Sequence, residues 1–391
     1  MTHIVIAGAK RTAIGSFLGQ FTGVPTPTLG GVAIRAALEQ SGIAADEVCE
    51  SIIGCVLPAG LGQAPARQAS LAGGLPVSTG ATTINKVCGS GMKAVMLGAD
   101  LIKAGSAKVV VAGGMESMTN APHLLNGSRT GLRYGSAEFI DHMAFDGLTD
   151  AYEKQSMGVY GELCVEKLGL TREEQDAFAA DSVRRALAAQ QTGAFADEIA
   201  PVTVSGRKGD VVVDSDEQPG RSNIDKIPTL RPAFKKDGTI TAATSSSISD
   251  GAAALVLLAE DDARARGVQP LARIVGHATH SQEPKWFTTA PVSAIEKLLG
   301  QVGWTADQVD LFEINEAFAC VAMAPIKQLG IPHDKVNVNG GACALGHPIG
   351  ASGARLIVTL IHALRRRGGK RGIASLCIGG GEATAIAIEI L

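Results

Sequence analysis

The chain has 391 residues, of which 46% are hydrophobic and 19% charged, with a formal net charge of -3. That balance suits a soluble α/β protein and gives no electrostatic case for binding nucleic acid or an anionic membrane. The length calls for two or three units, and 48 glycines against 4% aromatics point to close backbone packing and many tight strand-to-helix turns.

The chain opens on Met1-Thr2-His3-Ile4-Val5-Ile6-Ala7, which reads as a first strand and lacks the layout of a signal peptide. No apolar run reaches the roughly 18 to 20 residues of a membrane span. No peroxisomal or retention tripeptide closes the chain, so a cytoplasmic protein is expected.

Two distant stretches then read alike. Ala45-Asp46-Glu47-Val48 leads into the strand-like Ser51-Ile52-Ile53-Gly54, and Ala306-Asp307-Gln308-Val309 leads into Leu311-Phe312-Glu313-Ile314-Asn315. Gly89-Ser90-Gly91-Met92-Lys93 opens a helix predicted over 91–104, followed by a strand over 108–112. Ala351-Ser352-Gly353-Ala354-Arg355 opens another over 354–367, followed by a strand over 373–376. The endings also match, as Gly113-Gly114-Met115-Glu116 and Gly380-Gly381-Glu382. From Val48 to Val309, from Ser90 to Ser352 and from Gly113 to Gly380 are nearly equal steps along the chain. Ordered matches at nearly one offset predict two copies of one α/β unit. The expected division is 1–118 plus 250–270, then 271–391, with 119–249 inserted between. Two helical stretches, near 152–168 and 173–192, and a polar segment over 205–238 fill the insert. An insertion on a duplicated core usually shapes a binding site.

The seven cysteines are odd in number and show no Cys-x-x-Cys spacing, which argues against a disulfide framework and against a zinc knuckle. Cys88, in Asn85-Lys86-Val87-Cys88-Gly89-Ser90-Gly91, stands directly before a helix, where free N–H groups and the dipole favour a thiolate. His347 lies between Gly346 and Pro348, so it projects from a loop just ahead of the second-copy helix and could serve as the base for a thiol. Cys377 ends a strand before Gly379, Gly380 and Gly381; their N–H groups could form an oxyanion hole, and the thiol could shuttle a proton. Asn315, in Asn315-Glu316-Ala317-Phe318, follows an apolar strand and could orient a water or cap a helix. His277 and His280 have ligand-like spacing but no completing ligand, so no metal is expected. Neither a Walker A motif nor G-x-G-x-x-G is present. Arg365, Arg366 and Arg367 read as a solvated helix end.

Together these four segments resemble, in order and spacing, the active-site blocks of the thiolase family, and the resemblance covers essentially the whole chain. It implies duplicated α/β halves in stacked layers, an inserted loop domain that binds coenzyme A, and a homo-oligomer, either tetramer or dimer. It also implies roles. Cys88 resembles the nucleophile that takes the acyl group, and His347 the residue that activates it and helps bind the thioester oxygen. Asn315 resembles the holder of a water in that first oxyanion hole. The N–H groups of Cys88 and Gly379 resemble the second hole, and Cys377 the acid/base that removes the α-proton. The positions matching coenzyme A contacts are Leu148, Met157, Arg221, Phe234, Ser246, Ala317 and Phe318; Ser156 stands where bacterial biosynthetic members often carry His.

The segment Gly114-Met115-Glu116-Ser117-Met118 and the loop around Met157 are most similar to the short-chain members. The implied reaction is reversible condensation of two acetyl-CoA to acetoacetyl-CoA and CoA through an acetyl-cysteine. Coenzyme A thioesters are then substrates, and no cofactor is implied. A broad-range 3-ketoacyl-CoA thiolase is the nearest alternative. A ketoacyl synthase would not place a second thiol at Cys377, and a non-catalytic subunit of the same fold would have lost site residues.

Overall fold

The computed structural model describes residues 2–206 and 209–391. The first half contributes β1 (Ile4–Thr12), α1 (Thr26–Ser41), β2 (Glu50–Gly54), β3 (Gly80–Ile84), α2 (Ser90–Lys103) and β4 (Val109–Ser117). The excursion that follows carries α3 (Met157–Leu168) and α4 (Arg172–Gln191) before β5 (Ser249–Ala259) returns to the sheet. Then come β6 (Ala272–Ser281), α5 (Ala290–Val302), β7 (Leu311–Ile314), α6 (Ala319–Leu329), α7 (Ile349–Arg367), β8 (Arg371–Ile378) and β9 (Glu382–Ile390).

One sheet runs in the order β7-β8-β9-β6-β1-β5-β4-β2-β3. Its two ends follow one plan. β2 pairs β4 in parallel with Glu50 opposite Val110, and β7 pairs β8 in parallel with Leu311 opposite Gly372. Leu311 follows Glu50, and Gly372 follows Val110, by the offset that relates the two sequence copies, so the strand register repeats along with the sequence. Even the irregularities recur: β1 shifts register between Ile6 and Gly8, and β6 between Ile274 and Gly276. The two halves join antiparallel through β1 and β6.

One sequence match does not hold. Gly113 to Glu116 lie inside β4, whereas Gly379 to Gly381 form the turn between β8 and β9. The repeated register makes Ile378, not Glu382, the counterpart of Glu116. The match of Gly113 with Gly380 is a likeness of composition alone.

Both faces of the central strands are buried, as their runs of Val, Ile, Ala and Leu require. α2 and α7 share one apolar core with residues from both halves of the sheet, while α1 and α5 cover the outer faces through separate clusters. α7 is buried all round from Ile349 to Leu364, as befits a helix enclosed on every side. α2 and α7 touch through paired glycines. A Cβ on Gly91 would lie 2.8 Å from Ala354 N, and one on Gly353 would lie 2.4 Å from Met92 N. Gly91 and Gly353 are themselves related by the repeat offset, so both helices use the same position to approach.

In the excursion, α4 begins at a capping box in which Thr171 Oγ1 accepts from Glu174 N at 3.1 Å and Glu174 Oε2 accepts from Thr171 N at 2.7 Å. α3 starts later than the pattern predicts. Asp150 Oδ2 accepts from the N–H groups of Tyr152 (2.9 Å) and Glu153 (2.6 Å), which turns the chain, and Met157 N then donates to Leu148 O at 3.1 Å. The polar segment holds a hairpin arm, Gly209–Val213, and a short helix, Glu217–Arg221. Buried Arg11 ties this region to β1 through Glu198 and Asp216. Among the described residues, no helix is long and apolar enough to cross a membrane.

Candidate active site

Because α2 and α7 meet at their glycines, the segments that enter them, one carrying Cys88 and the other His347, are brought to one place. Cys88 sits on a tight elbow. Gly89 N donates to Lys86 O and Ser90 N to Val87 O, both at 3.0 Å, while Ser90 Oγ accepts from Lys86 N at 2.8 Å. Val87 takes a φ of 46°, the left-handed region that a β-branched residue avoids. Such a conformation costs about 1–3 kcal/mol and persists only where the surroundings enforce it. Lys86 is paired with Glu382.

The N–H groups of Gly379 and of Cys88 itself are directed at the Cys88 thiol. A Cβ on Gly379 would stand 3.6 Å from both Met157 Cε and Val87 Cγ1, so the turn after β8, the elbow and the start of α3 meet here. Cys377 is fully buried and close enough to feel charge on Cys88.

The helix start favours a thiolate, as expected, and burial opposes it. Although Cys88 keeps partial exposure, burial pushes its thiol up to about 11; the two N–H groups pull it back, and Glu116 adds to the rise. Cys377 is raised well above the ordinary thiol value, first by burial and then by Cys88. His347 moves the opposite way, pushed down to about 3 by burial and by the Arg355 guanidinium. The Cys88 thiol and the His347 imidazole are therefore both neutral at rest.

The imidazole's tautomer follows from its partners. Ser352 Oγ donates to Pro348 O at 2.9 Å, so it accepts from His347 Nδ1–H at 2.6 Å. Nε2 is left with its lone pair, toward which Asn315 Nδ2 donates at 3.3 Å. Among the described residues, Asn315 Oδ1 is buried without a partner. Ser352→Ala removes the group that fixes this tautomer. One lost hydrogen bond of about 1–1.5 kcal/mol corresponds to a roughly tenfold lower kcat with KM little changed. A kcat within twofold of the parent would show that the imidazole orients itself.

The positions matched to coenzyme A gather beside this centre. Leu148 packs in one apolar cluster with Cys88, and it accepts from Met157 N at 3.1 Å through its carbonyl. Phe234 meets Phe318 edge to face with ring centroids 5.7 Å apart. Ser246 donates to Ala317 O from both N (3.0 Å) and Oγ (3.1 Å). Arg221 is not drawn into this set. It is half exposed at the end of Glu217–Arg221 and pairs with Glu217 at 2.7 Å. His277 pairs with Asp100 and His280 with Gln282. Arg366 donates to Thr192 O (2.8 Å) and Gly193 O (3.2 Å), so part of the arginine run caps the end of α4.

Sequence reasoning missed the groups that support the centre. Ser352 was visible only as part of the repeat, and Glu116 only as a strand ending. Glu316 accepts from Ser182 Oγ (2.7 Å), Asn337 Nδ2 (2.8 Å) and Cys343 N (3.0 Å), which fixes the backbone next to Asn315. Arg355 donates to Glu313 at 2.7 Å in the core. A lone buried carboxylate leaves no spacing rule in a sequence, because its partners are mostly backbone N–H groups.

Two copies of an α/β unit that set a thiol and an imidazole at the starts of two packed helices, with a second thiol at the end of β8 beside the first, define an enzyme of the acyl-transferring type. Residues 4–261 match the N-terminal thiolase domain and residues 268–390 the C-terminal thiolase domain, so the chain belongs to the thiolase family. It is 53% identical to an acetyl-CoA acetyltransferase of Chromobacterium violaceum over 99% of both chains. To the acetyl-CoA acetyltransferase of Cupriavidus necator it is 50% identical over 100% of both. The crystal structure of the Bacillus anthracis acetyl-CoA acetyltransferase superposes with a TM-score of 0.97 at 42% identity, covering 100% of this chain and 99% of that one.

Proposed function

We propose that the chain is an acetyl-CoA C-acetyltransferase, catalysing the reversible condensation of two acetyl-CoA to acetoacetyl-CoA and CoA. The observation that carries the reading is the joining of two helix starts through Gly91 and Gly353, one entered by the Cys88 elbow beside Gly379 and Cys377, the other by His347 held in one tautomer by Ser352. Cys88 Sγ attacks the thioester carbonyl as its proton passes to His347 Nε2. The imidazolium so formed, with a water held by Asn315, donates toward the developing oxyanion. The carbon–sulfur bond to CoA breaks, and the departing sulfur takes a proton from Cys377. Acetyl-Cys88 remains, its carbonyl oxygen facing the N–H groups of Cys88 and Gly379.

The Cys377 thiolate then removes an α-proton from the second acetyl-CoA. Its raised basicity is useful here, because the α-carbon of a thioester is a weak acid. The enolate carbon attacks acetyl-Cys88, the carbon–sulfur bond to Cys88 breaks, and His347 returns the first proton. Protons and bonds balance without a cofactor.

Leu148, Met157, Phe234, Ser246, Ala317 and Phe318 form the wall for pantetheine in this reading. Arg221 serves the phosphates in this reading only where they displace Glu217 from it. Arg221→Ala should raise KM for acetyl-CoA by about two- to fivefold at low salt with kcat unchanged, and less at high salt. An unchanged KM at low salt would confine Arg221 to its helix pair. A homotetramer in the cytoplasm is the proposed setting.

The test is thiolysis of 3-ketoacyl-CoA substrates of increasing length. With Leu148 and Met157 closing over a small acyl space, acetoacetyl-CoA should give the highest kcat/KM. Equal or better efficiency on a long-chain substrate would replace this reading with a broad-range 3-ketoacyl-CoA thiolase.

A further inference from the structure

The relation between α2 and α7 places Gly350 as the counterpart of Cys88, and the strand register places Ile378 as the counterpart of Glu116. The two helix starts share a plan and differ in what fills it. At the first, the apolar Ile378 lies under Gly89, where a Cβ would fall 2.4 Å from its Cδ1.

At the second, a carboxylate fills the place. Glu116 is fully buried, and its Oε2 accepts from Gly350 N at 2.9 Å and Val56 N at 3.0 Å. Its Oε1 accepts from Leu57 N at 3.1 Å and from the Cys55 thiol at 3.8 Å. A Cβ on Gly350 would stand 2.7 Å from Oε2, so no side chain fits where the first copy carries its cysteine. All four partners are donors, and an ionised carboxylate is the form that satisfies them. Val56, Leu57 and Ile349, the residues flanking these bonds, pack in one cluster with Cys88.

We propose that Glu116 is a positioning residue for the reacting thiol. It ties the start of α7 to residues 55–57, which cluster with Cys88, and its carboxylate adds a negative charge to the burial that holds the thiol proton until His347 takes it. The functional part of this proposal rests on Cys88 being the nucleophile. Among the described residues, the charged and titratable groups beside Cys88 are Glu116 from β4, Cys377 from β8 and Lys86, which is paired with Glu382, with His347 on the segment entering α7, the helix that packs on α2. Burial pushes Glu116 up to about 7 against the pull of its three N–H partners, so it is ionised through the range where Cys88 titrates.

The experiment follows iodoacetamide alkylation of Cys88 in the full chain from pH 6 to 11, read as the modified peptide by mass. Glu116→Gln should lower the midpoint and speed alkylation at pH 8 by about three- to tenfold, the effect of half to one pKa unit. Glu116→Asp keeps the charge and withdraws it by one methylene, so it should stay near the parent profile while kcat for condensation falls. An unshifted Glu116→Gln profile, or equal shifts in both variants, would overturn the proposal in favour of packing alone. Should Glu116→Gln not fold, isotope-edited infrared difference spectra between parent and Glu116→Asp decide. A protonated Glu116 at pH 8 would overturn it, and an ionised one would support it. Acetylation mapped to another residue would sink the nucleophile assignment and leave the alkylation result standing.

Discussion

Cys88→Ala should abolish covalent acetylation and turnover together, whereas Cys377→Ala should still accept an acetyl group and fail afterwards. The separation follows from where the two thiols sit. Cys88 alone has the N–H groups of its own residue and of Gly379 directed at it, and it alone occupies the elbow set by Val87. Cys377 is buried deeper, at the end of β8, and its raised pKa makes it a poor resting nucleophile but a strong transient base. Removing it leaves Cys88, His347, Ser352 and Asn315 in place, so acetylation proceeds more slowly with CoA leaving as its thiolate. Loss of a general acid–base group typically costs about 10²–10⁴-fold, which sets the expected fall in condensation. Incubation of each variant with labelled acetyl-CoA, followed by digestion and mass mapping, reads both halves. Label on Cys377 with Cys88 free would reverse the roles, and near-normal condensation by Cys377→Ala would remove it from the reaction.

The duplication and the three groups proposed to react are legible in the sequence because each leaves a local mark. A thiol before Gly-Ser-Gly, a His between Gly and Pro, and a Cys before three glycines can be read from neighbours in the chain. What surrounds them could not be read so. Glu116 reaches Val56, Leu57 and Gly350 through backbone N–H groups that any sequence would supply. Burial decides the charge state, and burial is a property of the packed fold. The N–H groups at the elbow do favour a Cys88 thiolate, as its place before a helix suggests, and desolvation outweighs them. Glu116 and Glu382 looked equivalent because each follows glycines, and only the strand register shows that they are not.

The largest effect on stability is expected far from the reacting atoms, at Arg11. Its guanidinium is fully buried and gives Nε to Glu198 Oε1 at 2.6 Å and both terminal nitrogens to Asp216 at 2.7 and 2.9 Å. Glu198 belongs to the segment leaving α4, and Asp216 precedes Glu217–Arg221. One residue of β1 therefore anchors two points of the excursion that carries the proposed coenzyme A wall. Asp216 Oδ1 also accepts from Ile14 N at 2.8 Å, and Thr359 of α7 donates to Glu198 at 3.0 Å. Among the described residues Glu198 Oε2 already lacks a partner, so little slack remains to absorb a further loss. Arg11→Met leaves two buried carboxylates facing apolar volume, and breaking a buried pair in this way costs about 3–5 kcal/mol. Combining Arg11→Met with Glu198→Gln and Asp216→Asn removes the stranded charges while keeping the acceptors for Ile14 and Thr359, so most of that loss should return. Urea denaturation of the parent, the single and the triple variant measures both steps. A single variant within about 1 kcal/mol of the parent would show that water reaches the network, and a triple variant no better than the single would show that Arg11 acts by packing rather than by charge.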